Sequence, residues 1–199
     1  IGIRWSCQAR VDRVERRVLE RMKRAGCRQV IFGLESGSQE LLDAVGKGVC
    51  LQQSEEAVAL AKEVGLHTKG YFMMGHPEET PSTLRQTIDF MRRLKLDDVS
   101  LTYFTPFPGS PIHGEIGRYG RLEEDWTRMN QFEPVFIPSG LTEGELRGAM
   151  RRAYRRFYLR PRVVLNYLGR AKELSLWSGY LKGWLALIRY LFQLKAHSS

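Results

Sequence analysis

Two patterns of hydrophobic residues, one typical of strands and one typical of helices, alternate along the first half of the chain. Short apolar runs of strand length are each followed by a longer segment in which apolar residues return every three or four positions. After Phe107 the texture changes to a loop rich in Pro and Gly, and then to helices rich in Arg and aromatic residues. The pattern predicts strands at 2–9, 29–34, 67–74 and 98–104, and helices at 12–25, from 38, at 52–64 and at 82–95.

The order of strand, helix and strand with short links predicts parallel βαβ units, in an open sheet or a barrel. Such α/β folds place ligand chemistry where the carboxyl ends of strands meet helix amino termini. Asp12 and Ser38 stand where they could cap helices, and so does Thr80 or Ser82. The same positions therefore admit two interpretations, helix capping and ligand binding.

Charged or hydrogen-bonding residues, together with Gly or Pro, stand at the exit of each predicted strand. Arg10 follows the first, Glu35 ends the second, Glu79 lies in the turn after the third, and Pro106 follows the fourth. Together they predict one site for a zwitterionic or hydroxylated ligand, with Arg10 for a carboxylate and Glu35 or Glu79 for an amine or ribose hydroxyls. His76, in the third turn, is interpreted as a loop residue rather than a proton shuttle.

Composition narrows the class of protein. The 199 residues are 43% hydrophobic and 27% charged, as in folded domains. The cysteines at 7, 27 and 50 are too far apart for a local metal site and odd in number, so we interpret them as reduced thiols in an intracellular protein. Because the chain begins at Ile1 without a signal-peptide pattern, we expect a piece of a longer protein.

Three ordered segments carry a family resemblance: "FGLESGSQELLDAVGKG", "YFMMGHPEETPSTLRQTIDF" and "VSLTYFTPFPGSPIHGE". In this order and spacing they resemble the later part of radical S-adenosylmethionine enzymes, in particular the branch with an upstream cobalamin-binding domain. The resemblance covers residues 1–115. It implies a partial parallel (β/α) TIM-like barrel, made of the last four strands of the family's six, followed by an α-helical extension at 116–199.

The resemblance assigns roles at the first two strand ends. Glu35 corresponds to the carboxylate that contacts S-adenosylmethionine, through its ribose hydroxyls, and Ser36 and Gly37 shape the turn. Arg10 lies where the family often presents a polar contact to the methionyl end.

It also assigns roles at the last two strand ends. Gly75 matches the glycine that lets backbone approach the adenine, and Glu79 matches the acid of the family's Gly-x-Pro-Gly-Glu-Thr pattern. Glu78 replaces that pattern's second glycine, which changes the conformational freedom of the turn. Tyr103 and Pro106 would close the last strand against the substrate.

One family element does not occur in this sequence. The family's Cys-x3-Cys-x2-Cys loop, which holds a [4Fe-4S] cluster, cannot be formed by cysteines spaced 20 and 23 residues apart. The resemblance therefore implies a full-length parent that binds the cluster, cleaves S-adenosylmethionine with an electron from flavodoxin or ferredoxin, and carries cobalamin upstream. It implies a hydrophobic, lipid-like or tetrapyrrole-like substrate, altered by methylation, cyclisation or rearrangement.

The positive charge is concentrated near the end of the chain. Residues 147–195 hold 12 basic residues against Glu173 alone, within a net charge of +9. In 174–199, Lys182 and Arg189 share one helical face opposite Trp184, which predicts an amphipathic helix rather than a membrane span. Two interpretations stay open: packing on protein, or lying on an anionic membrane at the cytoplasmic face.

Two other functions fit the sequence less well. An RNA-modifying radical S-adenosylmethionine enzyme would use the basic residues, but no RNA-binding module is visible, so nucleic acid is not expected as a partner. A cofactor-free partner protein would have to complete its sheet with another chain, because its first strand would be an exposed edge.

Overall fold

The computed structural model describes residues 2–170 of the chain. Its strands are β1 (Trp5–Ala9), β2 (Cys27–Glu35), β3 (His67–Met74), β4 (Asp98–Tyr103), β5 (Gly120–Leu122) and β6 (Phe136–Pro138). Its α-helices are α1 (Arg16–Arg24), α2 (Gln39–Ala44), α3 (Leu51–Val64), α4 (Pro81–Arg93), α5 (Glu143–Tyr158) and α6 (Pro161–Arg170). Short 3₁₀ turns lie at Val11–Arg13, Pro111–Gly114 and Ile116–Arg118.

Strands β1 to β4 form one parallel sheet in the order β1-β2-β3-β4. Helices connect successive strands, so the predicted α/β class and parallel βαβ units are confirmed. Strands β5 and β6 form a separate antiparallel pair. Because the strands of the main sheet are parallel and in sequence order, their carboxyl ends lie along one edge, and the four predicted strand exits meet there.

The two faces of the sheet differ. Val30, Phe32 and Phe72 are buried on one face, beneath helices such as α3, which contacts β3. The other face is polar and half-buried: the Gln29 amide donates to Nδ1 of His67 at 2.8 Å, and Lys69 pairs with Asp98 at 3.5 Å. Parallel sheets covered on both faces are usually apolar throughout. Buried and half-buried residues alternate along β2, β3 and β4, which fits a partial barrel whose polar face lines the interior.

Helix ends follow the sequence except at two predicted caps, Ser38 and Asp12. Thr80 caps α4 in a reciprocal pair with Thr83, Ser38 stands at the N-cap of α2 without a side-chain cap bond, and Gly65 ends α3 in the left-handed conformation. The prediction that Asp12 caps the first helix is wrong. Its carboxylate accepts hydrogen bonds from Arg10 within a 3₁₀ turn, and α1 begins only at Arg16.

The chain divides into two compact units between Met150 and Arg151. The predicted boundary between 115 and 116 stays a prediction. The segment 174–199 lies outside the described residues, and with it the predicted amphipathic helix. Within residues 2–170, no helix is both long and apolar enough to cross a membrane.

Candidate functional site

The carboxyl end of β2 is a strained turn. Glu35 is the only residue other than glycine with a positive φ in the described part of the chain, at 61°. The Ser36 amide donates to the Leu34 carbonyl at 2.8 Å, which closes a three-residue turn around Glu35, and the register with β3 shifts between Gly33 and Glu35. Turns of this kind are rare, and they cluster at functional sites. The turn re-aims the Glu35 side chain at the edge of the sheet.

The Glu35 carboxylate lies over Gly33, paired with Lys47. Nζ of Lys47 is 2.7 Å from Oε1 of Glu35, and the two side chains are 21% and 24% exposed. A Cβ added at Gly33 would come within 2.8 Å of that oxygen and 3.3 Å of that nitrogen. Gly33 shares its register position with Tyr71 of the polar face, so the ion pair lies on that face. The missing side chain at Gly33 thus leaves room for a partly exposed ion pair.

Lys47 comes from the loop between α2 and α3. Gly46 and Gly48 on either side have φ of 63° and 64°, which glycine adopts without strain. Arg10 donates to the Lys47 carbonyl at 3.1 Å and to both carboxylate oxygens of Asp12 at 3.0 and 3.2 Å. The structure therefore joins Arg10 and Glu35 through Lys47. Sequence reasoning missed Lys47, although the Gly-Lys-Gly triplet indicates a lysine held in a tight turn.

Ser36 and Gly37 connect the strained turn to α4. The Ser36 hydroxyl shares a hydrogen bond with the Thr87 hydroxyl at 3.1 Å, and the Gly37 amide donates to the same Thr87 oxygen at 3.0 Å. A Cβ on Gly37 would lie 2.5 Å from Cβ of Phe90 and 2.7 Å from the Gln86 carbonyl oxygen. Both residues are thus held against the helix, where they fix the direction of the turn.

Glu79 faces the inside of the turn after β3. Its Oε2 accepts hydrogen bonds from the backbone amides of Gly75, at 2.6 Å, and His76, at 3.2 Å, and the Thr83 hydroxyl donates to Oε1 at 3.3 Å. The residue is 2% exposed, and burial raises the pKa of its carboxyl to about 7 against the opposing effect of these bonds. Glu79 holds together the turn in which Gly75 has a φ of 84°.

Tyr103 and Pro106 lie at the end of β4, and both are buried. The Tyr103 amide donates to the Gln131 carbonyl at 2.8 Å. The Pro106 carbonyl accepts from Nδ1 of His113 at 2.8 Å, so that nitrogen carries the proton. The end of the last strand is thus closed by two loops of the same unit.

The thiols do not form a cluster site. Burial raises the pKa of the Cys7 thiol to about 11, helped by its neighbour Cys27, whereas Cys50 is exposed at the N-cap of α3. Across residues 2–170, no group of three or more His, Cys, Asp or Glu side chains could hold a metal ion. The described residues therefore do not fit a [4Fe-4S] cluster.

Comparison with known proteins identifies the family. The model of the radical SAM superfamily matches residues 1–91. An uncharacterized methyltransferase of Pyrococcus horikoshii is 36% identical over 167 residues, which cover 83% of this chain and 36% of that protein. The chain belongs to the radical SAM superfamily. The anaerobic magnesium-protoporphyrin IX monomethyl ester cyclase of Rubrivivax gelatinosus is 29% identical to this radical SAM chain, over 84% of it and 30% of the cyclase.

A solved structure confirms the fold of this radical SAM chain. The radical S-adenosylmethionine methyltransferase TsrM of Kitasatospora setae, with cobalamin and a [4Fe-4S] cluster bound, superposes with a TM-score of 0.62 at 19% identity. The match covers 80% of this chain and 36% of TsrM. The chain spans about a third of the length of the curated relatives it matches. The predicted α/β, TIM-like partial barrel is confirmed.

Proposed function

We propose that this chain supplies the S-adenosylmethionine-binding part of a radical SAM enzyme, with Glu35 binding the ribose hydroxyls. The observation that carries the proposal is the partly exposed Glu35 carboxylate, which a strained turn holds over Gly33 on the polar face. Such a carboxylate can accept two hydrogen bonds from neighbouring hydroxyls. A strained backbone conformation persists only where the surrounding structure holds it in place, and such residues cluster at ligand-binding sites.

The charges beside Glu35 suit the rest of the ligand. S-adenosylmethionine carries a carboxylate, an ammonium and a sulfonium, so its site needs both signs of charge. Lys47 supplies the cation next to Glu35. Arg10 is already engaged by Asp12 and by the Lys47 carbonyl, so we assign it the role of holding the Lys47 loop while its remaining donors face the methionyl end.

The other predicted residues frame the site. Ser36 and Gly37 fix the β2 turn against α4, and Gly75 and Glu79 fix the β3 turn. Tyr103 and Pro106 would delimit the site at the end of β4. These roles follow from hydrogen bonds within the chain, so they position the ligand pocket rather than perform chemistry.

The cofactors and substrate complete the proposal. The ligands of a [4Fe-4S] cluster would lie outside residues 2–170, and the cluster would supply the electron needed to cleave S-adenosylmethionine. Cobalamin in a further domain is supported by the fold shared with TsrM, and flavodoxin or ferredoxin in the cytoplasm would donate the electron. A hydrophobic, tetrapyrrole-like substrate that is methylated, cyclised or rearranged is supported by the relatives named as a methyltransferase and as a magnesium-protoporphyrin ester cyclase.

Substitution of Glu35 tests the proposal. In the natural full-length protein, reconstituted with its cluster, Glu35→Ala should weaken S-adenosylmethionine binding by about tenfold or more, since two charge-assisted hydrogen bonds are lost. Iron content should not change. Glu40→Ala, an exposed acid in the first turn of α2, is the matched control. Equal affinities for the two variants, measured by calorimetry, would sink the assignment.

Contact of 174–199 with a membrane stays a prediction. Flotation with liposomes containing anionic lipid tests it on the full-length protein, with and without these residues. If this segment binds the membrane, the truncated protein should stay at the bottom of the gradient while the intact protein rises. Equal flotation of the two would remove the membrane interpretation in favour of packing on protein.

A further inference from the structure

Three exposed aromatic side chains lie in segments that follow β4. Within residues 2–170, the exposed Phe, Trp and Tyr side chains are Phe107, Trp126 and Phe132, which are 42%, 71% and 75% exposed. Phe107 comes four positions after the last residue of β4, and the other two lie in the β5–β6 loop, residues 123–135. Large aromatic side chains are mostly buried in folded proteins, and exposed apolar surface concentrated in one region marks a binding site.

Hydrogen bonds attach the β5–β6 loop to the carboxyl end of β4. The Gln131 carbonyl, next to Phe132, accepts from the Tyr103 amide at 2.8 Å. The Asn130 carbonyl accepts from the Thr105 hydroxyl at 3.2 Å. Because Tyr103 is the last residue of β4, the loop lies at the same edge of the sheet as the proposed S-adenosylmethionine site. A substrate of that site approaches the same edge, since parallel α/β folds bind ligands there.

Two tight turns order the loop around its aromatic residues. The turn around Trp126 is closed by Asp125, whose Oδ1 accepts from the Thr127 amide at 2.9 Å. A second turn holds Phe132, whose amide donates to Oδ1 of Asn130 at 2.8 Å. A ligand that packs on an already ordered backbone loses less of its binding free energy to ordering the protein. The loop thus presents two preorganised apolar side chains to solvent.

The interior face of the sheet offers a different surface. It carries the hydrogen bond between Gln29 and His67 at 2.8 Å and the ion pair between Lys69 and Asp98 at 3.5 Å. Covering such groups with an apolar ligand would remove their hydration without replacing it, which is unfavourable. A hydrophobic substrate at this edge of the sheet therefore finds its apolar contacts on the exposed rings that follow β4.

We propose that Phe107, Trp126 and Phe132 form a docking surface for the substrate, a flat apolar macrocycle of the tetrapyrrole class. The inference rests on the proposed function and deepens it, because it names residues that select the substrate. Aromatic rings stack in offset or edge-on geometry on a flat conjugated system and lose their contact with water as they do so. The rings are exposed in the free protein, so the contact contributes to substrate affinity and not to stability or to S-adenosylmethionine binding.

Substitution of the two loop aromatics tests the proposal in the natural full-length protein, reconstituted with its cluster. Protoporphyrin IX is the probe, and the change in its Soret absorption measures binding in the presence of S-adenosylmethionine. Trp126→Ala and Phe132→Ala should each weaken porphyrin binding by about tenfold, because a large apolar contact is lost. Trp126→Phe, which keeps a ring, should recover part of the affinity. The affinity of all three variants for S-adenosylmethionine and their midpoints of thermal unfolding should equal those of the wild type.

The controls separate this proposal from the proposed function. Val18→Ala, which shortens an exposed apolar side chain on α1, should leave porphyrin binding unchanged. Porphyrin affinities of Trp126→Ala and Phe132→Ala equal to that of this control would overturn the docking surface. A wild-type protein that binds S-adenosylmethionine but no porphyrin would also overturn it, and in both cases the Glu35 site stands. A lower unfolding midpoint in Trp126→Ala contradicts it too, since the ring would then pack on another part of the protein. If the wild type binds no S-adenosylmethionine, the proposed function fails and this inference with it.

Discussion

The ends of β2 and β3 each combine a positive φ with a glutamate, yet the two glutamates differ in almost every physical respect. At β2 the residue in the strained conformation is Glu35 itself, with φ at 61°, and its carboxylate is 24% exposed beside Lys47. At β3 the positive φ belongs to Gly75, which adopts it without strain, and Glu79 turns inward to bind the backbone of the turn. The carboxylate that stabilises its own loop is committed to the fold, and the other is available to a ligand.

Electrostatics separates the two carboxyls further. Glu79 is 2% exposed and has no cationic partner among its hydrogen bonds, so burial dominates and its pKa rises to about 7. Glu35 keeps contact with solvent and with the Lys47 ammonium. Backbone amides hold the Glu79 carboxylate within its own turn, whereas the Glu35 carboxylate, which we propose as the binding group, pairs with a side chain instead.

The largest effect should come from removing the acceptor at Glu79. At pH 5, where its carboxyl is neutral, Glu79→Leu should lower the free energy of unfolding by about 3 kcal/mol, since two buried amides lose their partner. Glu79→Gln keeps an acceptor oxygen and should lie close to the wild type. Urea unfolding of the three proteins measures the differences. Equal stabilities of the Leu and Gln variants would mean that Glu79 is not the group that holds this turn.

The pH dependence of stability should show the same contrast. A carboxyl whose pKa is raised to about 7 by folding binds a proton in the folded state that the unfolded chain releases near pH 4.5. Its contribution therefore falls as pH rises from about 4.5 to 7, by about 3 kcal/mol in all. His76, with its pKa lowered to about 4, acts with the opposite sign between about pH 4 and 6.5.

Glu79→Gln isolates the carboxyl from the histidine. The difference in unfolding free energy between this variant and the wild type cancels the contribution of His76. It should grow in favour of the variant from pH 4.5 to pH 7 and then level off. A difference that stays constant over this range, in urea titrations at several pH values, would show that the Glu79 carboxyl is ionised in the folded protein.

The sequence predicts the strands and helices better than it predicts the geometry of the site. Strand β3 matches its predicted bounds, and Gly65 and Thr80 end and begin helices as expected, because periodicity and caps are local properties. Asp12 fails as a cap because a neighbouring guanidinium, Arg10, competes for its carboxylate. Nothing local distinguishes Glu35 from Glu79, since burial depends on how distant segments pack.

Contacts between distant segments explain what else the sequence could not show. Lys47 reaches Glu35 across 12 positions, and its carbonyl is held by Arg10, 37 positions away. The Glu35 carboxylate fills the space that Gly33 leaves, next to a register shift between these two residues. Each of these features depends on tertiary packing, which a pattern of residue types does not record.

A smaller effect is expected at Gly33. A methyl group there would come within 2.8 Å of Oε1 of Glu35, which is the end of a flexible side chain and can move. Gly33→Ala should therefore change the unfolding free energy little and weaken S-adenosylmethionine binding by about tenfold, as the carboxylate is displaced. Gly144→Ala, at a helix position with nothing within 4 Å, is the control. If Gly33→Ala binds as tightly as that control, the carboxylate over Gly33 is not the ribose contact.

The smallest effect concerns the strain at Glu35 itself. Both Glu35→Gly and Glu35→Ala remove the carboxylate and should lose ligand affinity to the same extent. They should differ in stability, because alanine keeps the steric cost of a φ of 61° and glycine does not. Glu35→Gly should be more stable than Glu35→Ala by about 1 kcal/mol in urea unfolding. Equal stabilities would mean that the turn relaxes once the carboxylate is gone, and that the Lys47 ion pair, rather than the backbone, holds Glu35 in place.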